Sequence, residues 1–590
     1  MAIELAEYLL RRVRECGVRS IHGVPGDFNL VSLDQVERCG LQWVGNCNEL
    51  NASFAADGYA RVSGISALMT VIGVGELPAL SGIAGAYAEH VPVIHIVGQP
   101  SRRVQADRLC VHHTLGNGDF SVFAKMTAVV SVVAVTLDDP HTAPDLIDKA
   151  IHQCWLQSRP VVLFLPSDTV QSPVDGQKLS SRLNLSFQND QDEETRLVDK
   201  ILHDIQHSKN PVLLVGGHGT RHDVFEDVLE LIQLLQLPTF IAPTGQGIIN
   251  EETPFYKGLY VGEYSAPCIS RIVESSDLII SIGHIQSDLS TAGFSGKIES
   301  ERMISLQRTN TTLRGSPYNL FLKGVLRRLI TQWTVSSTFA HVDQECSLEK
   351  RDKDTCSPRM LCSLLKIRQT FLQKLTSLPI LSLRKRQVVK HAWLWPTLGS
   401  WLRHGDIVLA ETGTSSFGIW ETSFPTNAIL ISQYLWGSIG YTVGACQGAA
   451  QAARDCFGNQ KRTILFIGDG SLQFGCQELS TILRLGLTPI VFVICNNGYT
   501  TERLIHGWQE KYNDIQNWQY RQLPAAFGAP ARAYRTYVIQ TQAQLQNLLS
   551  NRKFNDCSVF QLVELYMPQE DAPETMKKIA QGLKKQNVRS

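Results

Sequence analysis

The chain has 590 residues, 55 Lys and Arg balanced by 55 Asp and Glu, and is 43% hydrophobic. At roughly 100–200 residues per domain it holds about three or four domains, and disorder as the general state is excluded. A net charge of zero leaves no long-range field to draw nucleic acid or an anionic membrane, so neither is expected as a partner.

The first ten residues, Met-Ala-Ile-Glu-Leu-Ala-Glu-Tyr-Leu-Leu, carry acids where a signal peptide needs a basic start and an apolar core. They read as an amphipathic helix. Short β-rich apolar runs follow at Arg19–Val24, Ser66–Ile72, Val93–Val97 and Val161–Leu165, with helical stretches between them. That alternation is the pattern of buried parallel strands joined by crossover helices. The acidic stretch Gln188–Glu194 reads as a linker. A second α/β unit carries strands at Pro211–Val215 and Leu278–Ile282. A third carries them at Ile407–Ala410, Thr463–Ile467, Ile490–Ile494 and Val559–Val563.

The expected fold is therefore α/β, with three doubly wound parallel-sheet modules in series over residues 1–185, 195–340 and 388–590. Residues 341–387 fit neither neighbour. They open on the charged run Glu349–Asp354, continue as an amphipathic pattern from Leu361 to Leu375 and end on Arg384-Lys-Arg, which reads as an atypical linker with one packed helix. Thr422–Ala453 contains no charged residue, but its glycines, glutamines and Pro425 are poor material for a lipid-facing helix. A densely packed site wall is expected there. The 14 cysteines are scattered without a CxxC pair, which reads as reduced thiols in an intracellular, cytoplasmic protein.

In doubly wound sheets ligands sit beyond the carboxyl ends of the strands. Gly468-Asp-Gly-Ser follows one such strand and Asn496-Asn-Gly498 the next. Asp469, the Asn496 amide oxygen and the Gly498 carbonyl would supply three hard oxygen ligands to Mg²⁺, with diphosphate oxygens and a water completing the octahedron. Gly470 would let phosphate approach the backbone. Asp-Gly and Asn-Gly are also the commonest turn dipeptides, so this pair alone leaves a plain turn open. No GxGxxG follows a strand, which disfavours a nicotinamide oxidoreductase.

In the first module, Asp27 follows a strand, Glu49 opens a helix and His112-His113 lie in a Gly-rich segment. Singly, each reads equally as a helix cap or a satisfied structural group. Together with Glu502, they suit proton shuttling around an organic cofactor.

The stretches Gly23-Val-Pro-Gly-Asp-Phe-Asn, Gly45-Asn-Cys-Asn-Glu-Leu-Asn-Ala, Gly73-Val-Gly-Glu-Leu, Tyr87-Ala-Glu-His and His112-His-Thr-Leu-Gly-Asn-Gly-Asp-Phe resemble the thiamine-diphosphate-dependent 2-oxo acid decarboxylases of the fungal pyruvate decarboxylase type. So do Glu411-Thr-Gly-Thr-Ser, Leu435-Trp-Gly-Ser-Ile-Gly, Gly468-Asp-Gly-Ser-Leu-Gln and Tyr499-Thr-Thr-Glu-Arg-Leu-Ile-His-Gly. The resemblance implies a pyrimidine-binding first module, a diphosphate- and Mg²⁺-binding third module, and decarboxylation of a 2-oxo acid to an aldehyde through an enamine. It also implies a homodimer or dimer of dimers, with each site formed between the first module of one subunit and the third of another.

By the same resemblance Glu49 would hydrogen-bond the aminopyrimidine ring, and Ile439 would prop the cofactor in its bent shape. Gly413 and Thr414 would contact the cofactor beside Gly468, Asp469, Gly470, Ser471 and Asn496. Asp27, His112, His113 and Glu502 would manage protonation and aldehyde release. The substrate pocket would include Phe294, Ser416, Thr501 and Ile505. Two of these depart from the family: Thr501 stands where an isoleucine is usual, and Ser416 replaces a small apolar residue. A roomier or more polar pocket, suited to a longer, aromatic or hydroxylated 2-oxo acid, is expected, against silent drift in a pyruvate enzyme. Gly216–Thr220 lacks the cysteines linked to substrate activation in some fungal relatives, so that device is not implied. A carboligase of the same superfamily is a second reading, which the histidine pair disfavours. A non-catalytic relative would have lost Glu49, Asp469 or Glu502, and all three are present.

Overall fold

The computed structural model describes residues 2–219, 222–340 and 387–589. It divides into three large sheets flanked by helices, with a two-stranded antiparallel pair, Ala2–Glu4 with Pro173–Asp175, beside the first. In the N-terminal module six parallel strands lie in the order Gln42–Trp43, Ser20–Gly23, Ser66–Val71, Val93–Gln99, Val161–Pro166, Val133–Thr136. In the C-terminal module the order is Ile429–Ile431, Ile407–Ala410, Thr463–Gly468, Ile490–Cys495, Phe560–Tyr566, Tyr534–Ile539, again all parallel. Numbered along each module, both orders are second, first, third, fourth, sixth, fifth. The two end modules thus share one topology, and their inner strands are buried on both faces, as their unbroken Val/Ile/Leu runs require.

The central module differs. Its parallel strands run Tyr256–Leu259, Thr239–Ile241, Pro211–Val215, Leu278–Ile282, Met303–Leu306, and an antiparallel hairpin, Thr311–Leu313 with Ser316–Tyr318, finishes one edge.

Equivalent helices of the two end modules, Glu49–Ser63 and Tyr441–Phe457, pack against each other. Small residues make this close approach possible. A Cβ at Gly58 would lie 2.1 Å from the Ala445 carbonyl oxygen, and one at Gly448 would lie 1.8 Å from that of Ala55. The glycines cost helix propensity, about 1 kcal/mol each relative to alanine, and the buried crossing offsets it. The uncharged Thr422–Ala453 stretch forms this crossing and the turn before it. No helix among the described residues is long and apolar enough to cross a membrane.

One expectation is corrected. Gln188–Glu194 is not all linker: a helix spans Gln191–His207, capped by the Asp190 carboxylate on the Glu193 N–H. Asp192, Glu193 and Glu194 occupy its first turn, where negative charge meets the positive end of the helix dipole. The acidic composition that resembles a linker is a helix start. The amphipathic pattern from Leu361 to Leu375 lies outside the described residues.

Candidate active site

The C-terminal half of the site is built at adjacent strand ends. Gly468 pairs with Ile494 in parallel register, so the Gly468–Ser471 loop and the Asn496–Gly498 turn emerge side by side. Asp469 is 2% exposed. Its Oδ1 accepts from the Gly470 N–H at 2.8 Å and the Gly498 N–H at 3.3 Å, and its Oδ2 from Asn496 at 3.0 Å and Asn497 at 2.8 Å. Burial pushes its pKa up against the pull of those four donors. The Asn496 Nδ2 donates to Thr500 Oγ1 at 3.0 Å, which leaves the amide oxygen as the group free to meet a ligand. Gly498 has φ +106°, and a Cβ there would lie 2.3 Å from the Asn513 carbonyl oxygen, so only glycine fits. A Cβ at Gly470 would come within 2.7 Å of the Tyr499 ring. The space it leaves is a cradle of the kind phosphate needs against backbone N–H groups.

These loops border a cavity of about 170 Å³. Gly413, Thr414 and Ile439 line one side; Gly468, Asp469, Gly470, Ser471, Asn496 and Gly498 line the floor; Thr501, Glu502 and Ile505 stand on the rim helix. The Ile439 turn is held by Glu411, whose Oε1 accepts from the Gly440 N–H at 3.1 Å and whose Oε2 accepts from the Thr442 N–H at 3.1 Å and the Thr442 hydroxyl. Complete burial pushes the Glu411 pKa up to about 7, against those bonds.

Two residues expected in the substrate pocket do not line this cavity. Ser416 is buried, and its Oγ closes on Gly413, accepting from its N–H at 3.2 Å and donating to its carbonyl at 3.0 Å. Its hydroxyl is satisfied within its own helix start and does not face the cavity. Phe294 is 67% exposed on a loop with φ +60°.

Sequence reasoning missed an apolar wall formed by Leu289 of the central module with Met576, Ile579 and Leu583. The last three lie on the Glu574–Arg589 helix, whose apolar periodicity is indistinguishable from that of an ordinary surface helix. It also missed Glu89, fully buried, which accepts from the backbone N–H of Tyr434, Leu435 and Trp436 at 2.8–3.1 Å and contacts His218 Nε2 at 3.0 Å. Glu89 thereby ties all three modules to the chain entering the Ile439 turn. The pull of His218 and Arg61 keeps its carboxyl ionised despite burial.

In the N-terminal half, Asn48 caps the Glu49–Ser63 helix through the Asn51 N–H. The Glu49 carboxyl is half-buried, which pushes its pKa up, and its Oε1 lies 3.2 Å from where a Cβ at Gly75 would stand. Asp27, His112 and His113 come together: His112 Nε2 is 2.6 Å from Asp27 Oδ2, His113 Nε2 is 3.8 Å from Asp27 Oδ1, and the imidazole centroids are 4.5 Å apart. The His112 ring stacks on Phe28. This trio could relay protons or hold a cation. His112 and Asp27 are about half exposed, and the cavity on the C-terminal side is lined by no residue of this module. Within one chain the two halves face separate spaces.

Residues 3–123, 198–331 and 411–560 match, in turn, the N-terminal TPP binding domain, the central domain and the C-terminal TPP binding domain of thiamine pyrophosphate enzymes. The chain is 48% identical over 588 residues to a pyruvate decarboxylase of Aspergillus terreus, covering 99% of this chain and 98% of the relative. It is 42% identical over 577 residues to pyruvate decarboxylase isozyme 1 of Saccharomyces cerevisiae, covering 97% of each. Topology, site loops and full-length similarity agree: the chain belongs to the thiamine-diphosphate-dependent 2-oxo acid decarboxylases of the fungal pyruvate decarboxylase type.

Proposed function

We propose that this decarboxylase releases CO₂ from pyruvate and from larger 2-oxo acids, with Mg²⁺ beside the cofactor, and that it works as a cytoplasmic homodimer or dimer of dimers. The observation that carries the reading is the cavity at the C-terminal strand ends, which joins an anion cradle, three oxygen donors and Glu502 to an apolar wall. When bound, thiamine diphosphate supplies the electron sink that lets a 2-oxo acid lose CO₂.

The chain's own residues bind, orient and move protons. Gly470 and Ser471 offer room and donors to the diphosphate, while Asp469, the Asn496 amide oxygen and the Gly498 carbonyl suit a hard divalent cation. Glu49, half-buried so that its pKa is raised, would hydrogen-bond the pyrimidine ring. Ile439 would meet the bound cofactor from a turn anchored by Glu411, so that orientation is prepaid. Asp27 orients His112 through the 2.6 Å contact, and the two histidines with Glu502 deliver and remove protons as aldehyde forms. The exposure of Asp27 and His112 in the single chain supports completion of the site by a second copy, which excludes water. All cysteines of the described residues are free, in keeping with a reducing compartment.

Thr501 lines the cavity, and its Oγ1 lies 3.6 Å from where a Cβ at Gly413 would be. Relative to isoleucine it gives back volume beside Ile505, which supports turnover of bulkier acids. The test is CO₂ release by purified protein, with Mg²⁺ and thiamine diphosphate, from pyruvate, branched-chain 2-oxo acids, phenylpyruvate and indolepyruvate. A kcat/KM for phenylpyruvate within about tenfold of that for pyruvate is expected. A pyruvate preference of about a hundredfold or more sinks the broad-pocket reading, and release equal to that of a Glu49→Gln control sinks the mechanism.

A further inference from the structure

Between the Ser66–Val71 strand and the Glu76–Ala88 helix the chain makes a tight turn, Ile72–Gly75, that touches both proton-handling groups of the N-terminal module. On one side, a Cβ at Gly73 (φ +66°) would lie 2.0 Å from the His113 carbonyl oxygen. On the other, a Cβ at Gly75 would lie 3.2 Å from Glu49 Oε1. The turn lies between Glu49 and His113, and a side chain at Gly73 or Gly75 would crowd one or the other.

Glu76 is the first helical residue after this turn and is 0% exposed. Its Oε1 accepts from the hydroxyl of Thr127, also fully buried, on the Ser121–Ala128 helix that follows the histidine segment. Its Oε2 has no hydrogen-bond partner among the described residues. A buried oxygen left unsatisfied costs about 1–3 kcal/mol or more when charged, and a surface-type structural role would not place it there. No ionised side chain pairs with Glu76 among the described residues; the Thr127 hydroxyl and the Gly73 N–H are the polar groups that face it.

We propose that Glu76 is a positioning residue for the decarboxylation: its buried carboxyl clamps the Gly73–Gly75 turn to the Ser121–Ala128 helix and so fixes the spacing of Glu49 and His113. The inference rests on the roles assigned to those two residues above. Burial pushes the Glu76 pKa up to about 7, so the clamp is neutral in mild acid, and its Oε2 becomes an uncompensated charge as pH rises. Turnover therefore falls on the alkaline side as Glu76 ionises.

The test uses the full-length holoenzyme with pyruvate, comparing wild type, Glu76→Ala, Glu76→Gln, Thr127→Val, Glu49→Gln, and Glu76→Ala combined with Glu49→Gln. Retained thiamine diphosphate is measured alongside kcat and KM from about pH 5.5 to 8.5. Glu76→Ala is expected to lower kcat about tenfold, with KM and cofactor content within about threefold. Glu76→Gln keeps an acceptor for Thr127 and cannot ionise, so it is expected to hold kcat within about threefold in mild acid and to flatten the limb near pH 7. In the Glu49→Gln background Glu76→Ala is expected to cost less than about twofold, because a residue acting through Glu49 is not additive with it. Thr127→Val, which keeps the carboxyl, is expected to lose about threefold in kcat and decides the matter if Glu76→Ala does not fold. Wild-type turnover in Glu76→Ala at every pH, equal losses in both backgrounds, an unchanged alkaline limb in Glu76→Gln, or, should Glu76→Ala not fold, an unchanged Thr127→Val overturns the proposal. Unaltered turnover in Glu49→Gln alone overturns instead the role of Glu49 on which it rests.

Discussion

The two end modules share one strand order and one helix-on-helix contact, yet their halves of the site are made differently. In the C-terminal half Asp469 is buried under four backbone donors, and Gly470 and Gly498 beside it leave no room for a side chain. In the N-terminal half Asp27 and His112 are about half exposed and held to each other by one short contact. The same topology thus supports a closely hydrogen-bonded floor in one copy and an exposed, titratable cluster, proposed above to carry protons, in the other. A floor must be preorganised, since cofactor affinity is lost to any slack. Proton carriers must reach water and substrate in turn, so burial would defeat them.

The largest effect should come from the rigid half. Asp469→Ala removes the acceptor of four N–H groups as well as the proposed cation ligand, and is expected to lower kcat/KM by about a thousandfold or more, with thiamine diphosphate lost on dialysis. Tryptophan-fluorescence titration and a steady-state assay read both. Glu49→Gln is expected to lower kcat by about 10²–10⁴-fold while the cofactor stays bound. Comparable loss of cofactor in both variants would erase the distinction between floor and carrier.

The two variants also test whether the halves meet across chains. In a dimer whose sites pair one chain's N-terminal half with the other's C-terminal half, each Asp469→Ala/Glu49→Gln heterodimer holds one intact site and one doubly impaired site. Random reassortment should restore roughly a quarter of wild-type activity. If both halves of a site come from one chain, mixing restores nothing.

How much of this was legible in the sequence depends on locality. Asp469, Asn496 and Gly498 could be picked out because a strand, a polar tip and a glycine lie within a few residues of one another, and parallel pairing makes adjacent tips meet. The strands Gln42–Trp43 and Ile429–Ile431 are too short to leave a periodic signal, so the shared strand order could not be read. Glu89 was quoted within a family-like stretch, but its partners at 434–436 are some 345 residues away, and nothing local distinguishes it from a helix-end acid. Ser416 is the converse case: a polar residue at a family pocket position whose hydroxyl is bonded to its own backbone. Residue type suggested a contact that local hydrogen bonding had already used.

Glu411 provides a stability test of the rigid half. Its folded pKa of about 7 stands above its ordinary value of 4.5, so the folded state binds more protons than the unfolded chain between those values. Its contribution is full below about pH 4.5 and is lost as pH rises through 7. A shift of that size is worth about 3 kcal/mol. Denaturant titration should show wild-type stability falling more steeply than that of Glu411→Gln between about pH 5 and 8. Parallel curves would mean that the Gly440 and Thr442 donors hold the carboxylate as well as they hold the acid.

The smallest effect concerns selectivity, where the two halves meet the substrate. Thr501 stands on the rim beside Ile505, on a cavity whose remaining wall is apolar. Restoring isoleucine adds methylene volume and removes a hydroxyl, and a change of that size in an apolar pocket is worth about 1–3 kcal/mol of discrimination. Thr501→Ile should therefore shift the ratio of kcat/KM for pyruvate over phenylpyruvate about tenfold towards pyruvate, with stability unchanged because the side chain is only partly buried. Ser416→Ala is the internal control. Its hydroxyl is closed on Gly413, so its loss should lower stability by about 1 kcal/mol and leave the ratio alone. If Ser416→Ala moves selectivity and Thr501→Ile does not, the apolar wall is not where the substrate's side chain lies, and the exposed face carrying Phe294 becomes the surface that a second copy folds over the substrate.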